Sequence, residues 1–79
     1  MQELLELILK GIVNNPDKIS VQEETDEADP MFVKFLISAD DEDKGIIIGK
    51  GGRTISAIRD VLSIKAIQGN KKVRLEIVD

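Results

Sequence analysis

Met1, Leu4, Leu5, Ile8 and Ile12 recur at helical spacing and mark one face of a first helix. Leu7, Leu9 and Val13 widen its apolar arc, so the helix is either well buried or shared with a partner. Asn14-Asn15-Pro16-Asp17 ends it, since asparagine tolerates a left-handed cap and proline cannot continue the helix. Ile19-Ser20-Val21-Gln22 alternates and predicts a strand over 18–25, and Asp26-Glu27-Ala28-Asp29-Pro30 has the composition of a turn. Met31 to Ser38 is the clearest strand, with Met31, Val33, Phe35 and Ile37 facing one way and Phe32, Lys34, Leu36 and Ser38 the other. The two strands should pair as a hairpin.

Asp40 offers an N-cap to a short helix over 41–48, whose first turn carries acids where the helix dipole favours them. Ile46-Ile47-Ile48 is β-branched, but its brevity and the acidic cap favour helix over strand. A third helix over 52–67 places Ile55, Ile58, Leu62 and Ala66 on its core stripe. Ala57, Val61 and Ile64 form a second stripe on the flank away from the first, which one packed face cannot also bury. Gly69-Asn70 punctuates, and Lys72 to Asp79 is a last strand with Val73, Leu75 and Ile77 inward. The order is helix, strand, strand, helix, helix, strand. No repeat or linker divides residues 1–79, which read as a single domain.

At 79 residues, a chain of this size buries only about 60% of its unfolded surface, so the core is thin. Cysteine and histidine are absent, which removes disulfides, thiolate and imidazole metal sites, and Ser-His or Cys-His nucleophile pairs. The run Asp40-Asp41-Glu42-Asp43 lacks the alternating ligands and central glycine of a calcium loop and reads as a cap with a solvated face. No catalytic residue, metal site or cofactor is expected. The start, Met1-Gln2-Glu3-Leu4-Leu5-Glu6, is acidic where a signal peptide is basic, and no apolar run reaches the ~20 residues of a membrane span. A cytoplasmic protein without membrane contact is expected.

The net charge is −4, yet it is unevenly spread. Residues 1–43 carry three lysines against twelve acids, a net −9, whereas residues 44–72 carry seven cations against Asp60 alone, a net +6. The remaining residues contribute −1. The asymmetry suggests a local anion site on an acidic body, with a solvated basic helix face as the bland alternative.

Within the basic segment, Gly49-Lys50-Gly51-Gly52 joins the second and third helices. Three glycines in four residues imply a sharp turn or close backbone approach, and Lys50 and Arg53 suggest that what approaches is anionic. A Walker A loop does not fit: Gly45 and Gly49 have three residues between them and Gly51 follows Lys50, so the magnesium-binding hydroxyl is missing. A dinucleotide fingerprint starting at Gly49 would need glycine where Thr54 stands. An ordinary helix–turn–helix with glycine for packing remains the plainest alternative.

Ile47, Ile48, Gly49, Gly52 and Ile55 match the fixed positions of the KH signature: an aliphatic pair, Gly-x-x-Gly, two residues, then isoleucine. With the element order above, the chain resembles a type II KH domain over essentially its whole length. In size and opening helix it is similar to the small stand-alone bacterial KH proteins of the KhpA type. The resemblance implies an α+β fold, α-β-β-α-α-β, with a three-stranded mixed sheet and three helices packed on one face. It implies single-stranded RNA as ligand, with a homodimer or a larger RNA-binding protein as partner.

Carried onto this chain, the resemblance makes Gly49, Lys50, Gly51 and Gly52 the phosphate clamp, with Arg53 near a neighbouring phosphate. Ile47, Ile48 and Ile55 either line the groove beside it or belong to the core beneath. Phe32 and Phe35 are the only aromatics, so base stacking on rings is not the main source of affinity and sequence preference should be loose. The second variable loop position is Gly51, which leaves Lys50 as the loop's one charge. Ala57, Val61 and Ile64 are the expected self-association surface. A protein-interaction module using the same fold as a scaffold is the alternative, favoured by the acidic balance and the shortage of aromatics.

Overall fold

The computed structural model describes residues 1–25, 27–68 and 71–78. Helix α1 (Gln2–Ile12) leads through a 3-10 turn at Pro16–Lys18 into strand β1 (Ser20–Thr25), which pairs antiparallel with β2 (Phe32–Ser38). Helix α2 (Asp41–Ile48), a 3-10 turn at Lys50–Gly52 and helix α3 (Arg53–Gln68) carry the chain back to β3 (Lys72–Ile77), which lies parallel to β2. The sheet order is β1-β2-β3. This is the mixed three-stranded sheet, covered on one face by helices, of a type II KH fold.

One apolar cluster holds the layers together. The sheet contributes Val21, Phe35, Ile37 and Val73, flanked by Val33, Leu75 and Ile77. Leu5 and Leu9 of α1, Ile47 of α2, and Ile58, Leu62 and Ala66 of α3 close over them. The expected inward sets of β3 and α3 are therefore the observed ones, and so is that of β2 except for Met31, which precedes the strand and is 44% exposed because the sheet ladder begins only at Phe32. Phe35 is fully buried, whereas Phe32 lies on the opposite face of the sheet.

Three local readings change. Strand β1 begins at Ser20 rather than 18, because Pro16–Lys18 tightens into a 3-10 turn closed by Ile19 N donating to Pro16 O at 3.2 Å. In α1 the buried centre is Leu5 and Leu9. Ile12, in the helix's last turn, is 39% exposed and Leu7 is 71% exposed, so the apolar arc is narrower than its composition suggests. The acidic run is not uniformly solvated: Asp43 is fully buried. Asp40 does cap α2, its Oδ1 accepting from Glu42 N at 3.0 Å. Gly69-Asn70, Asp26 and Asp79 lie outside the described residues.

Candidate nucleic-acid interface

The loop that joins α2 to α3 can be built only with glycine at its first position. Gly49 has φ 75° and ψ 174°, a combination open essentially to glycine alone, and its N–H caps α2 by donating to Gly45 O at 2.9 Å. A Cβ there would overlap Thr54 Oγ1 and sit 2.7 Å from Thr54 Cβ and 2.8 Å from Thr54 N. Gly51 and Gly52 also hold positive φ, at 65° and 78°, but a Cβ on either meets nothing within 4 Å. The 3-10 turn's own hydrogen bond runs from Gly52 N to Gly49 O at 3.2 Å. The N–H groups of Lys50 and Gly51 precede that bond and so are not consumed by it. Exposed backbone donors, an exposed Lys50 and an exposed Arg53 in the first turn of α3 thus share one protrusion. Such an arrangement suits an anion.

Beside the loop runs a groove of about 740 Å³ between the first half of α3 and β3. Gly52, Ile55, Ser56 and Arg59 form one wall. They are spaced as one helical face, at i, i+3, i+4 and i+7. Val73 to Glu76 form the other, and Phe32 and Lys34 reach in from β2. The floor is aliphatic, from Ile55, Val73 and Leu75, and the rim is cationic, from Arg59, Arg74 and Lys34. Lys34 is paired with Glu76 at 2.8 Å, and the hydrogen bond and charge of that carboxylate raise the lysine's pKa above its ordinary value.

The residues singled out by sequence divide between these features. Gly52 and Ile55 line the groove, whereas Gly49, Lys50, Gly51 and Arg53 adjoin Gly52 along the chain without lining it. Ile47 is fully buried, so it supports the loop from beneath, and Ile48 is exposed without lining the groove. Ser56, Arg59, Arg74, Lys34 and Phe32 went unread. The first two were within reach, since they continue the face of α3 set by Gly52 and Ile55. The last three depend on which strand edge faces α3, which no local pattern states.

Ala57, Val61 and Ile64 stand outward on the other side of α3, with Val61 47% and Ile64 67% exposed. No described helix is long and apolar enough to cross a membrane.

Comparison with known proteins identifies relatives of the whole chain and of its fold. The family model described as KhpA/KhpB, KH domain, matches residues 2–77. The chain is 41% identical to RNA-binding protein KhpA of Clostridium perfringens, across 99% of this chain and 100% of that one. It is 39% identical to the protein of the same name from Thermotoga maritima, across 99% of both. Among solved structures, it is similar to Era in complex with MgGDPNP and nucleotides 1506–1542 of 16S ribosomal RNA, with a TM-score of 0.58 and 25% identity. Aquifex aeolicus Era bound to GDP.AlF4- superposes with a TM-score of 0.61 at 24% identity, a likeness of fold. Each likeness covers 96% of this chain but only 28% of the Era chain.

Proposed function

Because the chain belongs to the KhpA/KhpB family of KH domains, we propose that it binds single-stranded RNA, with the loop over residues 49–52 clamping the phosphate backbone. The observation that carries this reading is the pairing of a loop whose three glycines hold positive φ, cationic at Lys50 and Arg53, with an aliphatic-floored groove of about 740 Å³ that begins at Gly52. Glycine lets the backbone donors approach phosphate without side-chain obstruction, while Lys50 supplies a point charge. Bases of about four nucleotides lie on Ile55, Val73 and Leu75, with Arg59 on the rim. An aliphatic floor distinguishes bases weakly, so sequence preference is loose. No catalytic step is assigned to the protein, and its compartment on this reading is the cytoplasm.

The outward stripe of Ala57, Val61 and Ile64 is the surface for a second copy or a larger RNA-binding partner. It lies off the groove, so association leaves the clamp open.

The test is a double variant, Lys50→Asp with Gly51→Asp, which replaces one attractive charge with two repulsive ones and obstructs the backbone approach. Titration of short single-stranded RNA at several salt concentrations should show weaker binding. The salt slope should be shallower by about one unit per lost phosphate contact. Equal affinity and equal slope with the fold intact would exclude the clamp.

A further inference from the structure

The groove is not confined to the helical side of the sheet. Side chains alternate across a strand. Val73 and Leu75 turn toward the core, so Arg74 and Glu76 stand on the open face, as do Phe32 and Lys34 of β2. All six line the same groove, which therefore wraps over the edge of β3 that β2 does not pair. On the open face, the Arg74 guanidinium sits 4.2 Å from the centroid of the Phe32 ring. Lys72, the register partner of Phe32, has its Nζ 5.6 Å from that centroid. Glu76 is occupied by Lys34, and among the described residues Arg74 forms no ion pair with a carboxylate.

A ring beneath a guanidinium holds it flat and leaves its second planar face to solvent, and nucleotide bases stack on such planes. We propose that Arg74, backed by Phe32, is a stacking platform for a base of the same RNA strand lying beyond the nucleotides held by the clamp, with Lys72 beside its phosphate. The proposal rests on the RNA-binding reading and extends it past the groove. Two observations commit the occupant to that strand: the platform is continuous with the groove, and the cations Lys72, Arg74 and Lys34 gather on the β2–β3 half of the face. Arg74 and Lys34 also border a second hollow of about 400 Å³, whose far side toward β1 carries Glu24 and Glu27, and those carboxylates repel phosphate beyond the platform.

Arg74→Lys keeps the charge and removes the plane. Single-stranded RNAs of about four and about eight nucleotides are titrated by fluorescence polarisation against wild type, Arg74→Lys and the double aspartate loop variant, at several salt concentrations. The ratio of longer-to-shorter affinity should fall at least about fivefold in Arg74→Lys, the low end for one lost stack, with the salt slope retained. Register multiplicity on the longer RNA cancels, because the ratio is compared between proteins. Phe32→Leu, which removes the backing ring, should move the ratio in the same direction. An unchanged ratio in Arg74→Lys, with wild type binding both RNAs and the loop variant weakened, overturns the platform and leaves the clamp standing. Wild type that binds neither RNA overturns both.

Discussion

Asp43 Oδ2 accepts a hydrogen bond from the backbone N of Asn15 at 2.9 Å and another from Asn15 Nδ2 at 3.1 Å. Its Oδ1 accepts from Asn14 N at 3.1 Å. A carboxylate in the first turn of α2 thus fastens the chain where it leaves α1, and fixes the helix that delivers the glycine loop. The side chain is fully buried, and every buried polar side-chain atom among the described residues has a partner.

This carboxylate should make part of the stability acid-labile. Burial pushes its pKa up, but the three donors from Asn14 and Asn15 outweigh burial and hold it below the ordinary value. A depressed folded-state pKa means that the contribution is complete above the unfolded carboxylate's pKa, roughly 4. It is lost as pH falls through the lower folded value. In urea titrations, Asp43→Asn should lower the midpoint at pH 7, and the gap to wild type should narrow steadily below about pH 4. A gap independent of pH would exclude the linkage.

The two ends of the α2 cap should respond oppositely to alanine. Gly49→Ala forces a side chain into a glycine-only conformation and onto Thr54, costing at least about 1–3 kcal/mol for the backbone alone. Gly45→Ala, exposed in α2 with nothing within 4 Å of its Cβ, should stabilise by about 0.5–1 kcal/mol. With roughly 4–8 °C per kcal/mol for a domain of this size, the melting temperatures should separate clearly and with opposite sign.

Gly51 sits at φ 65° and ψ 21°, the left-handed helical region. Gly51→Ala should cost about 1–2 kcal/mol in melting experiments. Gly51→Asn should cost less, because a short polar side chain tolerates that region best. The same argument protects the fold of the double aspartate variant. Equal losses for alanine and asparagine would mean that the loop relaxes away from this conformation.

Val61→Lys places a charge in the outward stripe of α3, where a half-exposed position lets the ammonium reach water in the single chain. Sedimentation should show wild type as a dimer and the variant as a monomer, with matching far-ultraviolet circular-dichroism spectra and a melting temperature that rises with concentration for wild type alone. A wild type that is monomeric at micromolar concentration removes the self-association surface.

Much of this was legible from the chain itself. The alternation in β2 and β3, the Asp40 cap and the stripe Ile58-Leu62-Ala66 are local signals, and each produced the element it predicts. The glycine loop was legible because its conformation is dictated within four residues. Asp43 was not, since four consecutive acids look alike until α1 arrives and selects one of them for burial. Arg74 and Phe32 belong to strands apart in sequence, and their cation–π contact follows from a parallel register that no pattern within either strand encodes. Ile12 shows the opposite limit: its helical position is right, but the end of a helix in a thin core has little to cover it.

The strands β2 and β3 are parallel neighbours, and everything between them, α2, the glycine loop and α3, is the crossover that lets them meet. Closing a long connection before its contacts form is the slow step in folding such topologies. The loop is therefore assembled inside the kinetically expensive part of the chain. During synthesis, a nascent chain that has not yet emerged past residue 71 owns the glycine loop and one wall of the groove, but not the strand that makes the other. On the proposed reading, competence to hold RNA arrives late and all at once, with the docking of the last strand.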